Sequence, residues 1–248
     1  MRDVVRTRLV IRVNGEVVGS AICDIGRERV YVRLKVEVRD SEDFRRSLES
    51  FFKNVAKGRR EIWVRAEKGS SLEKLLKELG FTEAGKSVIM GLELKGDYKY
   101  SGELAFKRVE CDEWEDFKRL HDEIFVNNPF SSPLSKILRP LDPIDAKAFI
   151  CGPHSEAYFT YLREELVGIV GLSHYGEAGK IPIIGLLPEC RGRGLGKQLL
   201  NFALMRLKEL GVKRIELAAD VQNVPAMRLY TSAGFKIVKE HVYYVLHM

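Results

Sequence analysis

The sequence predicts an α/β chain of two mixed-sheet units in tandem. Three observations carry that reading. Along all 248 residues, short β-branched stretches alternate with amphipathic helical ones. In the second half an apolar strand, a glycine-rich loop and a long helix follow one another directly, from Ile181 to Leu210. And the chain repeats itself weakly: Glu16-Val17-Val18-Gly19 returns 149 residues on as Glu165-Leu166-Val167-Gly168, and Gly80-Phe81 returns 154 residues on as Gly234-Phe235.

In the first half, Arg8 to Val13 and Val17 to Cys23 flank Asn14-Gly15, a hairpin turn dipeptide. Val30, Val32, Leu34, Val36 and Val38 alternate with polar residues, as a strand with one wet face does. Ser41 is placed to cap a helix with Glu42 and Asp43 in its first turn and Phe44, Leu48, Phe51, Phe52 and Val55 on its apolar stripe. Glu61 to Ala66 reads as a strand. Ser70 and Glu73 form a capping box before Leu72, Leu75, Leu76 and Leu79, and Ser87 to Leu94 reads as the last strand. Lys95 to Gly102 has no periodicity. The expected division is therefore a first domain over residues 1–95, a linker over 96–102 and a second domain over 103–248.

The second half opens with a strand at Leu104 to Val109 and a capping box at Asp112 and Glu115. The helix that follows is built on Trp114, Phe117, Leu120, Ile124 and Phe125. Residues 127–143 hold four prolines and read as a mobile loop near a substrate. A short helix from Ile144 to Ile150 comes next, then a hairpin of Ala157 to Leu162 and Leu166 to Ser173, then a buried strand from Ile181 to Leu187. After the loop and its helix, Arg214 to Ala218 is a strand. Asn223 and Pro225 open a helix that closes before Gly234-Phe235, and Ile237 to His247 supplies the last strands.

The loop reads Arg191-Gly192-Arg193-Gly194-Leu195-Gly196-Lys197. Glycines let an anion approach backbone N–H groups at a helix start, where the helix dipole favours negative charge, and the cations add to it. That is a phosphate or pyrophosphate site. It has neither the spacing of a P-loop nor that of a dinucleotide fingerprint. Its pattern Arg-x-x-Gly-x-Gly, together with Asn223, Tyr230, Gly234-Phe235 and the order of elements, resembles the GNAT superfamily of acetyl-coenzyme A-dependent N-acetyltransferases over residues 103–248. The first half looks like a decayed copy lacking the first strand and two helices, an arrangement similar to tandem GNAT proteins such as mycothiol synthase. Where the phosphate loop belongs, the copy reads Arg39-Asp40-Ser41-Glu42-Asp43, whose carboxylates repel a pyrophosphate; where Tyr230 falls it has Leu76.

The resemblance implies acetyl-coenzyme A as acyl donor, no metal, and direct attack by a primary amine on a small molecule, peptide or protein. It places the pantetheine arm at Leu186 and Leu187, the pyrophosphate on residues 191–197 (Arg191, Gly192, Arg193, Gly194, Leu195, Gly196 and Lys197), and a further coenzyme contact at Asn223. Tyr230 takes the role of general acid to the leaving thiolate. No carboxylate stands on the strand Ile181 to Gly185, so Glu156, His174, Glu177 and Asp220 are the candidates for the base. Cys190 reads as a small buried hydrophobe. A coenzyme-binding sensor without turnover is the alternative.

Composition limits the rest. No apolar run is long enough for a membrane span and the N-terminus has no signal-like apolar stretch. Four scattered cysteines without Cys-x-x-Cys argue against a disulfide framework or a zinc site, and so for a cytoplasmic protein. The net charge of +6 belongs to residues 1–100, with 22 Lys/Arg against 16 Asp/Glu, while the remainder is neutral. Spread over many elements, these cations read as a solvated, salt-bridged surface rather than a nucleic-acid footprint.

Overall fold

The structure, a computed structural model, describes residues 5–96, 98–126 and 141–248. Most of the proline-rich stretch 127–143 lies outside the described residues. The chain folds as two compact units.

The first unit takes residues 5–87 and 239–248. Its strands β1 (Val5–Val13), β2 (Glu16–Ile25) and β3 (Arg29–Val36) form an antiparallel meander. Parallel to β3 lies β4 (Glu61–Glu67), reached through helix α1 (Glu42–Val55). Ser41 caps α1 as expected, its Oγ accepting from the Phe44 N–H. Helix α2 (Ser71–Glu78) follows, with Ser70 accepting from the Glu73 N–H. The two helices bury Phe44, Leu48, Phe52, Leu75 and Leu76 against Ile11, Val13, Ala21, Cys23, Val30 and Val32.

The second unit takes residues 88–126 and 141–238 of those described. Strand β5 (Thr82–Glu93) enters it at Val88. Then come β6 (Leu104–Arg108), a 3-10 turn at Cys111–Glu113, α3 (Trp114–Val126), α4 (Pro143–Ile150), and the antiparallel strands β7 (Ser155–Leu162), β8 (Glu165–Tyr175) and β9 (Ala178–Leu186). Helix α5 (Leu195–Glu209), β10 (Arg214–Asp220), α6 (Val224–Ser232) and β11 (Lys236–His247) complete the chain. The strands run β5-β10-β9-β8-β7-β6. On one face α5 buries Leu199, Leu200, Ala203, Leu204 and Leu207 against Val170, Leu172 and Ile215. On the other, α3 and α4 bury Phe117, Leu120, Ile124 and Ile150 against Phe159, Ile169 and Ile183.

The two units repeat the same irregularity. The ladder β1–β2 slips between Ile11 and Arg12, and β7–β8 slips between Thr160 and Tyr161, again 149 residues apart. A Cβ at Gly19 would meet the Lys35 carbonyl oxygen at 2.5 Å; at Gly168 it would meet that of Gly185 at 2.5 Å. A shared bulge and a shared glycine forced by close backbone approach are hard to retain except by duplication of one unit.

By its internal contacts the chain divides at 87/88 and 238/239, within β5 and β11. Apolar alternation marks a strand but not its partner, and residues 241–247 of β11 pair with β4 in the first unit. Two features differ from the sequence reading. The capping box before α3 uses Glu110 and Glu113, not Asp112 and Glu115, since the chain enters the helix through a 3-10 turn. And Cys111 forms a disulfide with Cys151, which corrects the expectation of free cysteines. The 3-10 turn before α3 and the C-cap of α4 bring together two residues 40 apart, a pairing that spacing cannot announce.

In β11, Val242 and Tyr244 are buried in the first unit's core, with the Tyr244 hydroxyl donating to Glu73 Oε1 at 2.7 Å. Replacing Tyr244 by Ala therefore opens that core, and chemical denaturation is expected to show a loss of about 3–5 kcal/mol. A loss below about 1 kcal/mol would place β11 outside it.

Candidate active site

Strands β9 and β10 run parallel but pair only over Ala178–Lys180 with Arg214–Glu216. Beyond that they part. The Leu187 N–H donates to the Val167 carbonyl at 2.9 Å, which fixes the phase of the β8–β9 ladder. Antiparallel alternation then turns the N–H and C=O of Ile184 and Leu186 away from β8, toward the gap left by β10. An extended chain with amide groups can pair there. The opening lies at the carboxyl ends of two parallel strands, where α/β sheets characteristically bind ligands.

At the mouth of the gap, a 3-10 turn (Pro188–Cys190) leads into the glycine loop. Gly192 and Gly194 have φ of 75° and 80°, a left-handed conformation that side chains resist. Gly194 is the N-cap of α5 and brings no capping side chain. Gly196 lies 3.6 Å, measured from its Cβ position, from the Leu229 Cδ2 on α6. The consequence is a run of backbone donors. Among the described residues, the N–H groups of Gly192, Arg193, Gly194, Leu195 and Gly196 have no hydrogen-bond acceptor, while those of Arg191 and Lys197 bond to Pro188 and Gly194. Arg193 and Lys197 are exposed and make no ion pair with a described residue. Converging N–H groups, a helix N-terminus and two free cations form an anion-binding concavity.

Arg191 behaves differently from its expected role. Its Nε donates to the Leu186 carbonyl at 3.0 Å and its Nη2 to the Ile124 carbonyl at 2.9 Å. Partial burial lowers its pKa. The side chain thus ties the end of β9 to the end of α3 rather than reaching for a phosphate. Leu187, expected beside the pantetheine, has both backbone groups engaged, its C=O accepting from the Cys190 N–H. Leu186 keeps its N–H toward the gap.

On α6, Asn223 caps the helix by accepting from the Ala226 N–H at 3.2 Å, which leaves its amide NH₂ to donate outward. Tyr230 is packed against Phe235, with 7% of its surface exposed. Its hydroxyl has no hydrogen-bond partner among the described residues, and burial pushes its pKa up to about 12. The phenol stays protonated at any physiological pH.

The four candidates for the base separate. Glu156 is buried and held by Arg206 through two bonds of 2.8 and 2.9 Å and by the Tyr158 hydroxyl at 2.6 Å. Arg206 above all, then Tyr158, holds its carboxyl down to about 2. It is a structural anion. His174 and Glu177 stand at the far end of β9 from the loop. His174 is opposite Gly179, seven residues or roughly 23 Å of strand from Leu186. Glu177 is paired with Lys213 there. Only Asp220, at the end of β10, lies at the loop end of the sheet, where it receives the Gln222 N–H. Burial raises the pKa of Cys190 and keeps it a thiol, as its reading as a small hydrophobe requires. No local signal announces the Arg206–Glu156–Tyr158 network or the bond to the Ile124 carbonyl: Arg206 and Glu156 stand 50 residues apart, Arg191 and Ile124 67.

Comparison with known proteins agrees with this geometry. Residues 114–235 match the acetyltransferase (GNAT) family. Mycothiol acetyltransferase of Corynebacterium aurimucosum is 28% identical over 176 residues, covering 66% of this chain and 55% of that protein. The Corynebacterium glutamicum (strain R) protein of the same name is 33% identical over 91 residues, covering 36% of this chain and 31% of its own. The chain thus matches only a third to about half of these relatives' length. A tandem GNAT protein from the clavulanic acid biosynthesis pathway superposes with a TM-score of 0.72 at 16% identity, covering 98% of this chain and 83% of that one. A GCN5-related N-acetyltransferase from Sphaerobacter thermophilus gives 0.65 at 18%, covering 94% and 78%. These likenesses establish the tandem fold.

The Glu156 network sets a pH dependence. Its carboxyl titrates lower folded than unfolded, so its contribution is complete above about pH 4.5 and is lost as pH falls toward 2. Glu156→Gln is expected to cost about 3 kcal/mol at pH 7. Denaturation curves of variant and parent should converge between pH 4.5 and 2. A constant difference over that range would remove the charge from the account.

Proposed function

The chain belongs to the acetyltransferase (GNAT) family through residues 114–235, and from that premise we propose that it transfers an acetyl group from acetyl-coenzyme A to a primary amine. The observation that carries the reading is the run of five unpaired N–H groups from Gly192 to Gly196, flanked by Arg193 and Lys197, beside a gap between β9 and β10. The loop suits the pyrophosphate. The free edge of β9 at Ile184 and Leu186 suits the amide groups of the pantetheine arm. The Asn223 amide adds a donor. In the first unit the corresponding helix start is capped by Ser41 and carries Glu42 and Asp43, so the coenzyme is assigned to the second unit alone.

In the transfer, the amine nitrogen attacks the thioester carbonyl, a C–N bond forms, the C–S bond breaks and the departing sulfur is protonated. Tyr230 is the donor to that sulfur, since its phenol is protonated and uncommitted. The amine must arrive neutral or lose its proton at the site, and Asp220 is the described carboxylate at the right end of the sheet. The acceptor is an amine-bearing small molecule, peptide or protein. Mycothiol acetyltransferases are among the relatives, yet they extend well beyond the matched part, so their acceptor is not assigned to this chain.

The mislocated base candidates favour one rival, a coenzyme-binding module without turnover. Calorimetry with acetyl-coenzyme A, followed by thiol release across an amine panel, separates the two: tight binding with no release supports the rival, and no binding ends both. Gly194→Glu places a carboxylate among the N–H groups in a strained conformation and is expected to abolish coenzyme binding. Tyr230→Phe is expected to lower turnover by about 10²–10⁴-fold with little change in coenzyme affinity. A collapse of affinity alone would show that the tyrosine positions the coenzyme instead.

A further inference from the structure

The duplication leaves one sheet face of the first unit only partly covered among the described residues: Tyr31, Trp63 and Val245 on that face are buried, whereas Arg8, Arg12 and Lys35 are exposed. In the second unit, α3 and α4 bury Ala157, Phe159, Ile169 and Ile183. The shared bulge and glycine place Arg8, Val10, Ser20 and Arg33 at the corresponding positions of the first unit. Helices α1 and α2 cover only the opposite face, where Ile11, Ala21, Cys23 and Val32 are buried. Of these four counterparts two are arginines, one is serine and one is valine, with no carboxylate among them.

The registers arrange these cations. Across β1, β2 and β3, one row reads Arg8, Ile22, Arg33 and the next Val10, Ser20, Lys35; Arg12 follows on β1. Four cations thus surround a small centre of Ser20, Ile22 and Val10. Val10 is 58% exposed. Of the nearby carboxylates, Asp24 already accepts from both Arg6 and Arg33, and Glu37 follows Lys35 two residues on, beyond the end of β3. Arg8, Arg12 and Lys35 are exposed and have no carboxylate partner among the described residues. Charges scattered in sequence are gathered in space, which reverses the bland reading of the +6 excess.

We infer that this face of β1–β3 binds single-stranded nucleic acid through its phosphate backbone. Cations two residues apart on a strand stand about 6.8 Å apart and those on alternate strands about 9.6 Å apart. An extended polyanion can follow that lattice. Three of the four are arginines, whose planar fork takes phosphate oxygens in pairs and whose face stacks on bases. Exposed Val10 and half-buried Ile22 between them offer apolar contact to a base. An acidic protein would meet the same charges but would gain nothing from these stacking planes.

The test is fluorescence anisotropy of the full chain with a labelled oligouridylate of about 20 nucleotides, long enough to cross one binding surface. With four phosphates neutralised, log K should fall against log salt with a slope of about −2.8. The double variant Arg8→Glu/Lys35→Glu should lose at least tenfold in affinity and about half the slope. Lys53→Glu, an exposed change on α1, should leave both unchanged, and thermal melting of each variant reports on folding. Absence of binding, an equal loss in Lys53→Glu, or polyglutamate of equal length bound as tightly as the oligonucleotide would each overturn the inference. Because these residues lie outside the coenzyme site, acetyl transfer should be unaffected in every variant.

Discussion

The Arg191 guanidinium holds the site in shape. One side chain reaches the last carbonyl of β9 and a carbonyl near the end of α3. That anchor adds to the backbone bonds of the 3-10 turn and to the burial of Cys190 and Leu195 in fixing the glycine loop to the strand it leaves. The loop cannot hold itself: Gly192 and Gly194 supply the conformation and no side chain, and five N–H groups stay unbonded. Unpaired donors are costly to bury and cheap only where water or an anion can reach them. The site therefore needs a rigid rim around an exposed, unsatisfied centre. Arg191 makes the rim, and Gly196 against Leu229 brings α6, with Tyr230, to the same place.

What the sequence disclosed divides along physical lines. Local devices were legible: the Ser41 and Ser70 caps, the Asn14-Gly15 turn, the glycine loop and the Asn223 cap each depend on residues within four positions of one another. So was the repeat, since Gly19 and Gly168 are forced by backbone approach and survive where side chains drift. Long-range pairing was not legible. Strand β11 has a pattern that would suit either unit, and only the structure shows that Val242 and Tyr244 serve the first. The partners of the Arg191 side chain are hidden for the same reason, because a cation in a phosphate loop looks the same whether it faces a ligand or a carbonyl. The lock of Arg206 on Glu156 and the place of His174 at the far end of β9 are long-range facts of the same kind.

The two units share one design and differ at its helix start. The second retains α3 and α4, the loop and Tyr230. The first retains the bulge and the parallel pair β3–β4, but caps its helix with a side chain where the second leaves its donors open. A capped N-terminus is more stable and cannot bind an anion; an uncapped one is the reverse.

The chemistry of Tyr230 places a limit on how the proton moves. Burial sets its phenol at about 12, whereas a thiol of ordinary acidity sits near 8.5. Complete transfer from the phenol to a free thiolate would then be uphill by about 5 kcal/mol. In the proposed transfer Tyr230 would therefore act while the C–S bond is still breaking, by a hydrogen bond to a sulfur that carries only part of its charge, and would take a proton back as the bond is lost. The proton that balances the reaction is the one the amine gives up. In the proposed transfer Asp220 is the described carboxylate placed to take that proton, since Glu156 is locked by Arg206 and His174 stands roughly 23 Å of strand from Leu186, and Tyr230, as donor to the sulfur, regains the proton it lends.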